Sequence, residues 1–123
     1  MFKQQLICLV LRVVGWLYGD DLDEAVEYLV KKHPEIQVLK IENSNITDTG
    51  LEAILIAENI KTIDLGSERL TGTGFKSQAN FSKHIQSLTL RARNMSIQGI
   101  IQILQHCGKE LITLGILCFH LTT

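Results

Sequence analysis

Hydrophobic residues fall in one recurring order along this chain. Ile36-x-x-Leu39-x-Ile41 leads to Ile46-Thr47-Asp48-x-Gly50-Leu51. The order returns as Ile60-x-x-Ile63-x-Leu65 with Leu70-Thr71-Gly72-x-Gly74-Phe75, and again as Ile85-x-x-Leu88-x-Leu90 with Met95-Ser96-Ile97-x-Gly99-Ile100. A fourth copy begins at Leu111-x-x-Leu114-x-Ile116 and reaches Leu121. Successive copies start 24, 25 and 26 residues apart. Self-similarity at such a period marks stacked supersecondary units, each unable to bury its apolar face alone.

The alternating core of each copy predicts a short strand. Leu39 and Ile41 share one face, while Val38, Lys40 and Glu42 take the other. The same holds for Ile63 and Leu65, Leu88 and Leu90, and Leu114 and Ile116. A helix is expected after each strand, over residues 50–58, 74–83 and 97–107, with the second the weakest because its periodicity is poor. Asp48, Thr71 and Ser96 stand where an N-cap oxygen is needed. An earlier unit is read from Leu6-x-x-Leu9-x-Leu11, 30 residues before Ile36. Trp16 would fill its core, or with Tyr18 form an exposed aromatic pair. A helix over 22–32 would follow, capped by Asp20 or Asp21, with Leu22, Ala25, Val26 and Leu29 on one face. Lys31 and Lys32 suit its last turn, and Pro34 ends it.

The period and the strand motif resemble leucine-rich repeats. The tracts Ile46-Thr47-Asp48-Thr49-Gly50-Leu51-Glu52-Ala53-Ile54 and 103–114 resemble the cysteine-containing class, in which a helix ends in cysteine before the next strand. Cys107 matches that cysteine, with one extra residue before Leu111. His33-Pro34-Glu35-Ile36 resembles the same junction with histidine in its place, and Ser44 stands where the class often has cysteine or asparagine. The resemblance covers roughly residues 6–121. It implies an α/β leucine-rich-repeat solenoid, with parallel strands on the concave face and helices on the convex face. About four coils are expected, spanning 6–35, 36–59, 60–84 and 85–110, with a partial last one at 111–123. Such repeats are best known in substrate-binding parts of F-box ubiquitin-ligase subunits, and similar ones occur in innate immune sensors. No F-box and no phosphate-binding loop is found in these residues. The apolar first strand and the missing last helix lead us to expect a piece of a longer repeat protein.

Composition narrows the function classes. An apolar content of 46% with 20% charged residues fits a single globular domain rather than disorder. The net charge of −1 gives no pull toward nucleic acid or anionic membrane, and no apolar run nears membrane-spanning length. Arg12 cuts the apolar run 6–11 below the length of a signal-peptide core. Three cysteines, Cys8, Cys107 and Cys118, are too few and odd in number for a disulfide scaffold, which favours a cytoplasmic or nuclear location. The sequons at Asn45, Asn80 and Asn94 keep a secreted or receptor ectodomain open as an alternative, although the repeat itself generates those at Asn45 and Asn94.

Candidate chemistry is sparse. Cys107 beside His106 has no third orienting group, and its repeat position explains it as a core residue. No metal set, cofactor motif or acid–base pair is visible, so neither cofactor nor enzyme activity is expected. The expected binding surface is the outward sheet face: Val38, Lys40, Glu42, Thr62, Asp64, Ser87, Thr89, Arg91, Arg93 and Thr113, with Gly115 beside them. Arg91 and Arg93 suit bidentate contacts with a partner's carboxylates. The expected function is non-catalytic protein–protein interaction. The alternative implied by the resemblance is substrate recognition in an F-box subunit, tied to a ubiquitin-ligase adaptor through a further domain.

Overall fold

A computed structural model describes residues 8–12, 19–75, 81–107 and 110–117. In chain order the elements are β1 (Cys8–Arg12), α1 (Gly19–Lys32), β2 (Val38–Ser44), α2 (Asp48–Leu55), β3 (Thr62–Ser67), β4 (Ser87–Arg91), α3 (Ile97–His106) and β5 (Thr113–Leu117). The architecture is α/β. The five strands form one parallel sheet in sequential order, with β1 and β5 as its open edges.

The sequence spacing sets the register. Leu9 opposes Leu39, which opposes Ile63, then Leu88, then Leu114. The early unit read from Leu9 and Leu11 is therefore a strand in the sheet, opposite Leu39 and Ile41. β3, β4 and β5 open in the same way. The N–H groups of Lys61 and Thr62 both reach Gln37 O, those of Gln86 and Ser87 reach Lys61 O, and those of Ile112 and Thr113 reach Gln86 O. Alternation sends Leu39, Ile41, Ile63, Leu65, Leu88 and Leu90 to a core in which none is more than 1% exposed. Ile36, Ile60 and Ile85 lead into that core from the strand starts, and Ile46, Leu70 and Met95 close it beyond the strand ends. β2 carries one extra residue between Ile41 and Ser44, a bulge that ends the simple alternation.

Three sequence expectations are corrected. α2 begins at Asp48, two residues early, and its N-cap is Thr47, whose hydroxyl accepts the Thr49 N–H. Asp48 instead points to the next unit. Its carboxylate accepts the Thr71 N–H (3.0 Å), the Thr71 hydroxyl (2.9 Å), the Gly72 N–H (2.9 Å) and the Gly74 N–H (2.8 Å). The second correction concerns Thr71. Thr71 caps no helix, and none is present in the described parts of 74–83, which are residues 74–75 and 81–83. Gly72, at φ 79°, lies in the left-handed region, so no right-handed helical turn runs on from Thr71. Phe75 and Phe81 pack edge to face at 5.5 Å, and Ser82 N–H reaches the end of α2 at Leu55 O. The third concerns α1, which begins at Gly19 rather than at residue 22. Ser96 is the N-cap of α3 as expected, accepting the Gly99 N–H. The expected place of Trp16 and Tyr18, residues 118–123 and the sequon at Asn80 lie outside the described residues.

Asp23 repeats the Asp48 arrangement one unit earlier, accepting the backbone N–H and hydroxyl of Thr47. A helix carboxylate thus fastens the segment after the next strand, twice in succession. Gly99 belongs to the same seam. A Cβ there would sit 2.5 Å from Gly72 Cα and 2.9 Å from Thr71 O, so the two backbones touch because neither glycine carries a side chain.

Candidate functional site: the outward face of the sheet

One face of the sheet is packed on the core, while the other carries polar side chains. Val38, Thr62, Ser87 and Thr113 form a neutral row across the strand starts. Lys40, Asp64, Thr89 and Gly115 form the next row. Small hydroxyl residues keep the β3–β5 part of this face shallow. Charge gathers toward the strand ends, where Lys40, Glu42, Asp64 and Arg91 line an open depression of about 610 Å³.

Sequence reasoning missed the floor and far wall of that depression: Ser44, Asn45, Gly66, Ser67 and Glu68. Ser44 and Ser67 are buried, and their hydroxyls bind backbone. Ser44 donates to Gly66 O (2.7 Å), and Ser67 donates to Ile46 O (2.6 Å). Each serine also accepts an N–H two residues on, from Ile46 and Arg69 respectively. The floor is therefore held rigidly, with its buried polar atoms satisfied. The signal was present in the recurrence of serine just past two strands. The bulge in β2 hid it by shifting Ser44 out of the alternating frame.

The arginines need a revised description. Arg91 donates to Asp64 on the adjacent strand, and Arg93 lies beyond β4 with its guanidinium 3.8 Å from Glu68. Both are already engaged within the chain rather than standing ready for a partner's carboxylates. Arg91 is 51% exposed and Asp64 27%, so water screens the pair and it contributes at most about 1 kcal/mol. Thr62, Ser87 and Thr89 are half-buried, and Lys40, Glu42 and Thr113 are exposed.

Elsewhere the described chemistry is structural. Cys107 caps the end of α3 and is buried, which pushes its thiol up to about 11, with Lys83 opposing the shift. The thiol is protonated at neutral pH, so it lacks the thiolate a nucleophile needs. His106 packs edge-on against Phe81. Among the described residues no group of three or more histidine, cysteine, aspartate or glutamate side chains is placed to hold a metal ion, and no helix is long and apolar enough to cross a membrane.

The class defined by these features is an α/β protein with a parallel five-stranded sheet that leaves one face open. No family model matches the chain, and no curated protein or solved structure matches it.

Proposed function

We propose that this chain is a leucine-rich-repeat solenoid of the cysteine-containing class, and that it works as a non-catalytic protein-interaction module. The outward sheet face is the binding surface. The observation that carries this reading is the contrast between the two faces. One is a continuous apolar core, whereas the other presents ordered polar rows and a charged depression with a rigid floor. Regular strands hold such rows in fixed positions, so a partner meets a preorganised surface and little ordering cost is added on binding. The mixed charges, Lys40 and Arg91 against Glu42, Asp64 and Glu68, favour a partner with a matching mixed pattern over nucleic acid. A cytoplasmic or nuclear location fits the free thiols of Cys8 and Cys107.

A photo-crosslinking amino acid placed at Thr89 in cells tests this, with the same group at Tyr28 on α1 as the control. The expected result is a discrete protein adduct from position 89 and none from position 28. Adducts from position 28 alone would overturn the proposal.

A further inference from the structure

The charges that line the depression are not equally free. Asp64 accepts from Arg91, and Glu68 faces Arg93 at 3.8 Å. Glu42 is also engaged within the chain. Lys40 is the exception. It is exposed, and its ammonium has no hydrogen-bond or ion-pair partner among the described residues. Asp64 lies directly opposite Lys40 on β3, yet its carboxylate is taken from the other side by Arg91 of β4.

Position gives that free ammonium a consequence. Lys40 and Thr89 stand in one row, two strands apart, which is about 10 Å at ordinary strand spacing. A standard protein interface covers about 800 Å² of each partner, a patch roughly 30 Å across. An interface of that size centred on Thr89 therefore covers Lys40 as well. Asp64, Glu68 and Arg91 enter it already paired. Lys40 enters it solvated by water alone, and stripping that water from an ammonium is unfavourable unless an acceptor replaces it.

We infer that the protein partner of the outward face places one carboxylate, from an aspartate or glutamate side chain or from its C-terminus, over Lys40 Nζ. The inference rests on the reading of that face as a binding surface. The ammonium donates N–H···O bonds to the carboxylate, and the two charges cancel as water leaves. Lysine is a point charge, so it sets the sign of the group it meets rather than its orientation. The depression as a whole sets two cations, Lys40 and Arg91, against three carboxylates, Glu42, Asp64 and Glu68. Its long-range field therefore does not draw an anion in. The selection is made at contact, so losing it speeds dissociation rather than slowing encounter.

The test uses the full chain and the protein captured at Thr89, purified. A carbodiimide, which joins an amine to a carboxylate in direct contact as an amide, is added to the complex, and mass spectrometry locates the link. The expected result is an amide between Lys40 and one acidic residue, or the C-terminus, of the partner. In isothermal titration Lys40→Glu should weaken binding at least about thirtyfold at an unchanged melting temperature. Lys40→Arg, which keeps the charge, should lose far less, and Lys32→Glu on α1 should bind as the wild type does. Full affinity in Lys40→Glu overturns the inference and leaves the binding surface standing. Lost affinity in Lys40→Glu without a carbodiimide link at Lys40 also overturns it, in favour of a phosphate or another anion. If no protein is captured at Thr89, the reading of the face falls and the inference falls with it.

Discussion

Replacing Asp48 with alanine should be among the most damaging single changes to this fold. Asp48 is 7% exposed, and its carboxylate accepts four hydrogen bonds from the segment after β3, three of them from backbone N–H groups. A hydrogen bond to a charged group contributes about 1.5–3 kcal/mol, and orphaning a buried donor costs about 1–3 kcal/mol. The four bonds share one carboxylate and are not additive, and water will enter the vacated space. We therefore predict a loss of about 4 kcal/mol for Asp48→Ala, a large share of the ~5–15 kcal/mol that holds a domain of this kind. Asp48→Asn keeps one acceptor oxygen but turns an NH₂ group toward amides that already donate. Its cost should be about 2–3 kcal/mol, so the isosteric change is no rescue. Asp23→Ala removes only the two bonds to Thr47 and should cost about 2 kcal/mol. Asp64→Ala, which breaks a screened surface pair, should cost less than about 1 kcal/mol. Urea unfolding of the four variants gives the ranking, and amide exchange at Gly72 and Gly74 shows whether the loss is local. A cost under about 1 kcal/mol for Asp48→Ala, with both amides still protected, would refute the seam as a stabilising device.

Other outcomes follow from the same contacts. Gly99→Ala drives a methyl into the backbone of Gly72 and Thr71 and should lower stability by more than about 2 kcal/mol in thermal unfolding. Gly115→Ala, whose new methyl meets only Thr89 at 3.6 Å, should stay within about 0.5 kcal/mol of the wild type. An equal effect from the two substitutions would contradict the packing. Cys107 should react with a thiol reagent at pH 8 far more slowly than the exposed Cys8. Because folding raises the Cys107 pKa, its contribution is fully present below the unfolded value near 8.5 and is lost as pH climbs to about 11. Cys107→Ala should flatten that alkaline fall in melting temperature, and an unchanged fall would assign it to other groups.

The sheet was legible from the chain because its cause is local and periodic. A residue that must alternate between core and water writes that need into the sequence, so Leu39, Ile63, Leu88 and Leu114 could be aligned before any coordinates. The early strand at Leu9 and Leu11 followed from the same rule despite its longer connection. The helices were less legible. Asp48 reads as a cap for its own helix, and only the fold shows that its neighbour one unit along has better-placed donors. Of the expected helix at 74–83, residues 74–75 and 81–83 are not helical, and Gly74 is held by that same carboxylate over a long range, while 76–80 lie outside the described residues. On the outward face the charged rows were foreseen and the pairings were not. A strand offset of 27 residues between Asp64 and Arg91 is visible only once the register is known. The serine floor lay beyond the point where alternation holds.

The most direct measurement is the affinity of the protein captured at Thr89 for the purified chain, followed by isothermal titration for the wild type, Thr89→Arg and Tyr28→Ala. Our account predicts that Thr89→Arg weakens binding at least about tenfold, a loss of roughly 1.4 kcal/mol, with an unchanged melting temperature, while Tyr28→Ala binds as the wild type does. Full affinity in Thr89→Arg together with lost affinity in Tyr28→Ala would contradict the account and move the binding surface to the helices.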